Sequence, residues 1–178
     1  MNYYISDLHF GHANIIKLCD RPFSCIEEMN ETLIKNWNAK VTNADTVYII
    51  GDLFFRTATN PKDVLAKLKG KKHLIIGNHD KSWLPNMSDD YLKKTFESVG
   101  HMQVINTGKG MATLCHYPMM SFEGAFLIFG HIHNNKNDTY WPLLRGMTNA
   151  FNASVEINQY APSTLEELIV NNKTFREN

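Results

Sequence analysis

An α/β fold is predicted for this 178-residue chain, and two observations carry the prediction. Short apolar runs rich in β-branched and aromatic residues recur along it, as expected of buried strands. Between the early runs, apolar residues repeat at helical spacing behind capping residues. A third observation concerns chemistry: five of the runs break off into a residue that binds metal well. Side chains set just after strand ends converge on one edge of a sheet, where α/β proteins gather their sites.

Taken in order, Tyr3-Tyr4-Ile5 reads as the first strand and leads into Asp7 and His9. A helix begins near Ala13. A second follows Ser24 and Glu27, which form a capping-box pattern, with Ile26, Met29, Leu33, Ile34 and Trp37 on one face. Val47-Tyr48-Ile49-Ile50 is the next strand, and Gly51 and Asp52 follow it. Asn60 caps a helix with Pro61 at its first position, Val64, Leu65 and Leu68 inward, and Gly70 at its end. Leu74-Ile75-Ile76-Gly77 leads into Asn78, His79 and Asp80, and Ser88 starts a helix through Tyr91, Leu92 and Phe96.

From there the pattern changes to closely spaced strands over roughly 102–106, 111–115, 126–129 and 150–157. Ala112-Thr113-Leu114-Cys115 ends in His116, and Phe126-Leu127-Ile128-Phe129-Gly130 ends in His131 and His133. Ser163 and Glu166 repeat the capping box before Leu165, Leu168 and Ile169. With no repeat, low-complexity tract or linker, residues 1–178 are expected to form one domain.

Composition limits the function classes. Eighteen basic residues balance eighteen acidic ones, so no global positive field recruits nucleic acid or an anionic membrane. The first strand begins at once, which leaves no room for a signal peptide, and no apolar run approaches the ~20 residues of a membrane-spanning helix. Cys19, Cys25 and Cys115 are odd in number and lack Cys-x-x-Cys spacing. They read as reduced thiols, and a cytoplasmic location is expected.

Aspartate, histidine and asparagine donors suit hard or borderline divalent ions. Mn²⁺ is the expected ion, and Fe²⁺, Zn²⁺, Ni²⁺ and Co²⁺ suit the same donors. The absence of cysteine from the set argues against a structural zinc site. Seven candidates, Asp7, His9, Asp52, Asn78, His116, His131 and His133, are too many for one tetrahedral ion and about right for two ions sharing a carboxylate. Two ions ~3.5–4 Å apart can clamp a phosphoryl group and acidify a bridging water. Gly51, Gly77 and Gly130 precede ligands, where a sharp turn or close backbone approach is useful.

Asp7-Leu8-His9, Gly51-Asp52, Gly77-Asn78-His79-Asp80, His116 and Gly130-His131-Ile132-His133 together resemble the five ordered motifs of calcineurin-like metallophosphoesterases. Asn152-Ala153-Ser154-Val155-Glu156 resembles the strand that commonly succeeds them. Ser6 to His12, with Arg21-Pro22-Phe23 after it, is similar to a compact bacterial and phage branch. Gly-Asp alone carries little weight, whereas all five motifs in order are highly specific.

The resemblance implies a four-layer αββα sandwich of two mixed β-sheets flanked by helices. It implies that Asp7, His9 and His133 hold one ion, that Asn78, His116 and His131 hold the other, and that Asp52 bridges them. Hydroxide between the ions would attack phosphorus in line. His79 would protonate the leaving alkoxide or stabilise charge, with Asp80 orienting it from behind.

Residues outside the motifs are open to two readings. His12 either contacts the substrate phosphate or caps the helix near Ala13. Arg21 and Arg56 are candidate phosphate contacts because guanidinium can pair with two oxygens; a solvated or ion-paired arginine is the other reading. His73 and His101 precede strands at the wrong end and read as structural. The segment 134–146, with Tyr140, Trp141 and Arg145, leaves the last ligand motif and would wall the substrate pocket, while Trp141 folds back to cover the sheet edge.

Three function classes compete. The first is a phosphoesterase acting on a small mono- or diester, with a nucleotide among the candidate substrates. The second is a nuclease acting on nucleic-acid ends, which the neutral charge and short chain oppose. The third is a non-catalytic interaction module, which the complete ligand set and His79 oppose.

Overall fold

The structure is a computed structural model that describes residues 1–55 and 60–177. Strands β1 (Asn2–Ile5), β2 (Thr46–Ile50), β3 (Lys71–Ile75) and β4 (Ser98–Gly100) form one sheet in that order, all parallel. Strands β5 (Met102–Asn106), β6 (Met111–Cys115), β7 (Phe126–Phe129) and β8 (Ala150–Asn152) form the second, antiparallel between β5 and β6 and parallel thereafter. Only the second sheet is therefore mixed. The βα connections of the first half return every strand in one direction, and such a sheet must be covered on both faces.

Alternation along the strands shows the covering. Tyr3, Ile5, Val47, Ile49 and Leu74 share a core with Met29, Leu33 and Trp37 of α2 (Ile26–Lys40) and Val64 and Leu65 of α3 (Pro61–Leu65). Their neighbours Tyr4, Tyr48, Ile50 and Ile75 point the other way and pack on Leu114, Ile128 and Phe151 of the second sheet. Leu127 and Phe129, on that sheet's far face, meet Leu144 of α5 (Trp141–Gly146). The layers are helix, sheet, sheet, helix. Trp37 is fully buried and still donates its Nε1–H to Lys69 O at 2.9 Å, so its large apolar surface is covered without an orphaned donor. Helix α1 (Asn14–Leu18) and α4 (Asp89–Thr95) complete the first outer layer, and α6 (Leu165–Glu177) packs along the β8 and β1 edges.

Local signals are realised with small displacements. Asn60 and Ser88 cap their helices by accepting from Lys62 N and Tyr91 N. Ser24 reaches Glu28 instead of Glu27, and Cys25 occupies the cap position. The last capping box is Thr164 with Glu167, because Ser163 is held by paired main-chain bonds to Tyr4. Strand β4 is too short and polar to announce itself. The predicted strand 150–157 stops at Asn152. There the Asn152 side chain accepts from Ser154 N, and Asn158 Nδ2 donates to Asn152 O and Ser154 O. Side chains replace the ladder, and a 3₁₀ turn, Val155–Ile157, follows.

Candidate metal centre

The C-terminal ends of β1, β2 and β3 lie on one edge because the strands are parallel, and those of β6 and β7 are parallel to each other likewise. Beyond those ends main-chain bonds continue between neighbouring strands of each sheet and, at Ser6, join one sheet to the other. Asp7 N donates to Gly51 O, His9 N to Asp52 O, Ser6 N to Ala153 O and Gly130 N to His116 O, at 2.9–3.1 Å. All seven predicted ligands lie on these extensions. Asp7, His9, Asp52, His131 and His133 sit at φ between 51° and 73°. That left-handed region is uncommon for residues with a side chain and costs of order 1–3 kcal/mol each. A run of such turns on a strand edge marks a site where side-chain direction outweighs local stability.

Two glycines make room for the ligands. A Cβ on Gly130 would stand 2.7 Å from Asp7 Oδ2, and one on Gly77 would strike Asp52 Oδ1 and stand 2.6 Å from Asp52 N. No other residue fits either position without moving a carboxylate.

Asp7 is fully buried. Its Oδ2 accepts from Ser6 Oγ (2.7 Å), Ser154 Oγ (2.6 Å) and His131 N (3.0 Å). Asp7, His9 and His133 bring one donor atom each within 4.8 Å of one another. On the other side, Asn78 Oδ1 is 3.0 Å from both His116 Nε2 and His131 Nδ1. Asp52 Oδ2 lies between the two groups, 3.4 Å from His116 Nε2, 3.7 Å from His9 Nε2 and 3.8 Å from His79 Nε2. Its Oδ1 accepts from His79 N at 2.9 Å.

These donors fit divalent ions. His116 Nδ1 donates to Ile50 O at 2.8 Å, and that bond leaves Nε2, facing Asp52 and Asn78, as the nitrogen that can exchange its proton for an ion. His9 Nε2 is buried without a hydrogen-bond partner among the described residues, an arrangement that is costly unless a cation completes it. Electrostatics agree. Burial alone would raise Asp7, but His133, His116 and His9 reverse that and hold its carboxyl well below the usual range. Burial would lower His116 and His133, yet the neighbouring carboxylates lift them to about 9 and about 11. Burial pushes His9 and His131 down. The site attracts positive charge strongly.

Around the ligands, the structure distinguishes the other predicted residues. His79 is half-exposed, with its ring 5.3 Å from that of His9 and 4.3 Å from Phe55. Asp80 does not orient it. Its buried carboxylate accepts from the main-chain N–H groups of Asp52, Leu53 and Gly77 and from Trp83 Nε1, at 2.8–3.0 Å. Asp80 thus fastens the Asp52 turn to the Gly77 turn, and burial raises its pKa.

His12 is not a helix cap, since Ala13 occupies that position without a side-chain bond. His12 Nδ1 is 3.2 Å from His9 Nδ1, and its ring packs edge-on to Phe55. Burial, then the charges of His79 and Arg21, bring it down to about 4, so it is neutral near pH 7. Arg21 is buried and bonded to Glu156, so it is no surface phosphate contact. Arg56 lies outside the described residues.

A cleft of about 460 Å³ adjoins His131 and His133, lined by Cys19, Asp20, Asn134, Asn137, Asp138 and Tyr140 among others. The segment after the last motif therefore borders the centre, while Trp141 turns away to stack edge-on with Phe175 at 5.1 Å. Sequence reasoning missed Ser6, Ser154, Phe55, Tyr117 and Glu156. Tyr117 stands 4.8 Å from the His131 ring. Ser6, Ser154 and Glu156 stood inside segments that resemble the family's, and Tyr117 beside a candidate ligand, but none had a legible role. The partners of Glu156, His133 and Arg21, lie 23 and 135 residues away in sequence.

Comparison with known proteins agrees with this geometry. The family model described as calcineurin-like phosphoesterase matches residues 3–124. An uncharacterized protein of Methanocaldococcus jannaschii is 38% identical, over 94% of this chain and 88% of its own length. The gene 66 protein of Mycobacterium phage L5 is 35% identical over 44% of this chain and 39% of its own. Among solved structures, a protein of unknown function from Aquifex aeolicus superposes with a TM-score of 0.71 at 27% identity, covering 94% of this chain and 96% of that one. With a family model spanning more than half of it and a full-length relative at this identity, the chain belongs to the calcineurin-like phosphoesterase family.

Proposed function

We propose that the protein is a dinuclear metal-dependent phosphoesterase acting on a small phosphate mono- or diester, with nucleotide-sized esters in its range. The observation that carries the reading is the position of Asp52 Oδ2, 3.4–3.8 Å from the ring nitrogens of His116, His9 and His79. One carboxylate faces both ligand sets, and a histidine outside both sets stands beside it.

Bound there, two divalent ions would supply Lewis acidity and a water acidic enough to attack phosphorus. Asp7, His9 and His133 would hold one, Asn78, His116 and His131 the other, and Asp52 both. The oxygen and nitrogen donors favour Mn²⁺ or a similar borderline ion. His79, half-exposed and tied to Asp52 through its main-chain N–H, is free to give an Nε2 proton to the leaving oxygen. Its ring packs 4.3 Å from that of Phe55. His12 holds the second ring nitrogen of His9 and presents its own outer nitrogen to a phosphate oxygen as a neutral donor.

The test is hydrolysis of aryl phosphates by protein reloaded with Mn²⁺ after chelation, with metal content measured alongside. About two ions per chain and hydrolysis that requires them are expected. Full activity in the chelated protein would defeat the reading. Comparing p-nitrophenyl phosphate with bis-p-nitrophenyl phosphate separates monoesterase from diesterase.

A further inference from the structure

We propose that Glu156 and Arg21 form a buried positioning pair for one half of the metal centre, Glu156 fixing the His133 ring and Arg21 the turn that carries Asp7 and His9. The inference rests on the reading of Asp7, His9 and His133 as the ligands of one ion. Neither residue of the pair reaches substrate; both act through ligands.

The hydrogen bonds point to this role. Glu156 Oε1 accepts from His133 Nδ1 at 2.9 Å and from Arg21 Nε and Nη2 at 3.0 and 2.7 Å. Both side chains are almost fully buried, at 0% exposure for Arg21 and 2% for Glu156. Arginine–carboxylate pairs frequently use both oxygens, as a fork on a fork. Here both arginine bonds converge on the oxygen that also holds His133, and Oε2 is buried without a hydrogen-bond partner among the described residues. A buried polar atom left unsatisfied is costly, so the arrangement favours the histidine over the ion pair. With Nδ1–H given to the carboxylate, Nε2, which faces Asp7 Oδ1 at 3.9 Å, is the nitrogen left to take an ion in exchange for its proton. A carboxylate behind an imidazole also strengthens it as a donor to a cation.

Arg21 extends the same control to the other two ligands. Its Nη2 donates to Asp7 O at 2.6 Å and its Nη1 to Leu8 O at 2.9 Å. Those carbonyls belong to the turn in which Asp7 and His9 hold φ of 57° and 53°. Two charge-assisted bonds offset the strain of that turn. One ion pair thus joins the segment after β1, the segment after β7 and the 3₁₀ turn after β8. The second ligand set is built differently: Asn78 is neutral, and His116 Nδ1 is held by a main-chain carbonyl, Ile50 O. Loss of the Glu156 charge should weaken one ion position and spare the other.

The experiment is titration of metal-free protein with Mn²⁺, followed through the resonance of free Mn²⁺, for wild type and Glu156→Gln. His133→Ala identifies which of the two equilibria belongs to this ligand set. Glu156→Gln is expected to weaken that equilibrium about 10–100-fold and to leave the other unchanged. An equal shift in both, or in neither, overturns the proposal. Should Glu156→Gln leave Arg21 unpaired and the metal-free protein unfolded by circular dichroism, the neutral double variant Arg21→Met/Glu156→Gln gives the same readout without a buried unpaired charge. The wild-type titration stands apart: fewer than two ions bound refutes the dinuclear reading, whereas two ions with no selective shift refutes only the role of this pair.

Discussion

Asp52 and His79 carry opposite expectations at the scale of single residues. Asp52→Asn removes the charge that faces both ligand sets, so metal analysis should find fewer than two ions and hydrolysis should fall with them. His79→Asn leaves every proposed ligand in place. It should spare metal content and slow alkyl esters about 10²–10⁴-fold, with a smaller effect on p-nitrophenyl esters, whose leaving group needs no proton. Equal slowing of both esters would remove the general-acid role. Titration gives a third test. His116 and His133, lifted to about 9 and about 11, are protonated in the metal-free protein at neutral pH. An incoming ion must displace those protons, so affinity should rise with pH through about 9 and on toward about 11. Calorimetry at pH 7.5 in buffers of different ionisation heat should reveal proton release, and heats independent of buffer would contradict it.

At the scale of elements, the strand-end turns are the sensitive parts. Gly77→Ala drives a methyl group into Asp52 Oδ1. The turn must shift, and we expect lost metal binding and about 1–3 kcal/mol of destabilisation, read by chemical denaturation of the metal-free protein. The Thr164–Glu167 cap of α6 is a contrasting case. Thr164→Ala should cost about 1 kcal/mol and lower Tm by about 2–4 °C in a chain of this length, with metal binding intact. Helix caps at Asn60 and Ser88 were legible because they depend on residues a few positions away. Displacement of the other two by one residue was not, because Ser163 is claimed by Tyr4, a partner 159 residues distant in sequence.

For the whole molecule, the centre is a clasp between two sheets. Asp7, Asp52 and Asn78 extend from the first sheet, and His116, His131 and His133 from the second. Ions held by both sets, as proposed, would bind the folded chain and have no equal site in the unfolded one. They should stabilise it by about 2.7 kcal/mol at a free concentration about 100 times Kd. Thermal unfolding with and without chelator measures this, and an unchanged Tm would mean that the sheets close without help from metal.

The division between sequence and tertiary structure follows the range of the interactions. Strand and helix positions, the Gly–ligand spacings and the seven donor residues are local patterns, and the sequence by itself determined them. Which atoms face one another depends on chain segments far apart in sequence. Asp80 sits beside His79 in the sequence, yet its carboxylate turns to Asp52, Leu53 and Gly77 N–H groups because burial demands every acceptor be used. Arg21 read either as a phosphate contact or as a solvated or ion-paired arginine, and only the folded chain shows it buried and paired with Glu156, 135 residues away. Periodicity and motif spacing register the direction of a strand and the type of a donor. Only the packed sheets, by bringing five strand ends to one edge, decided which side chains face one another there and which are held by buried hydrogen bonds.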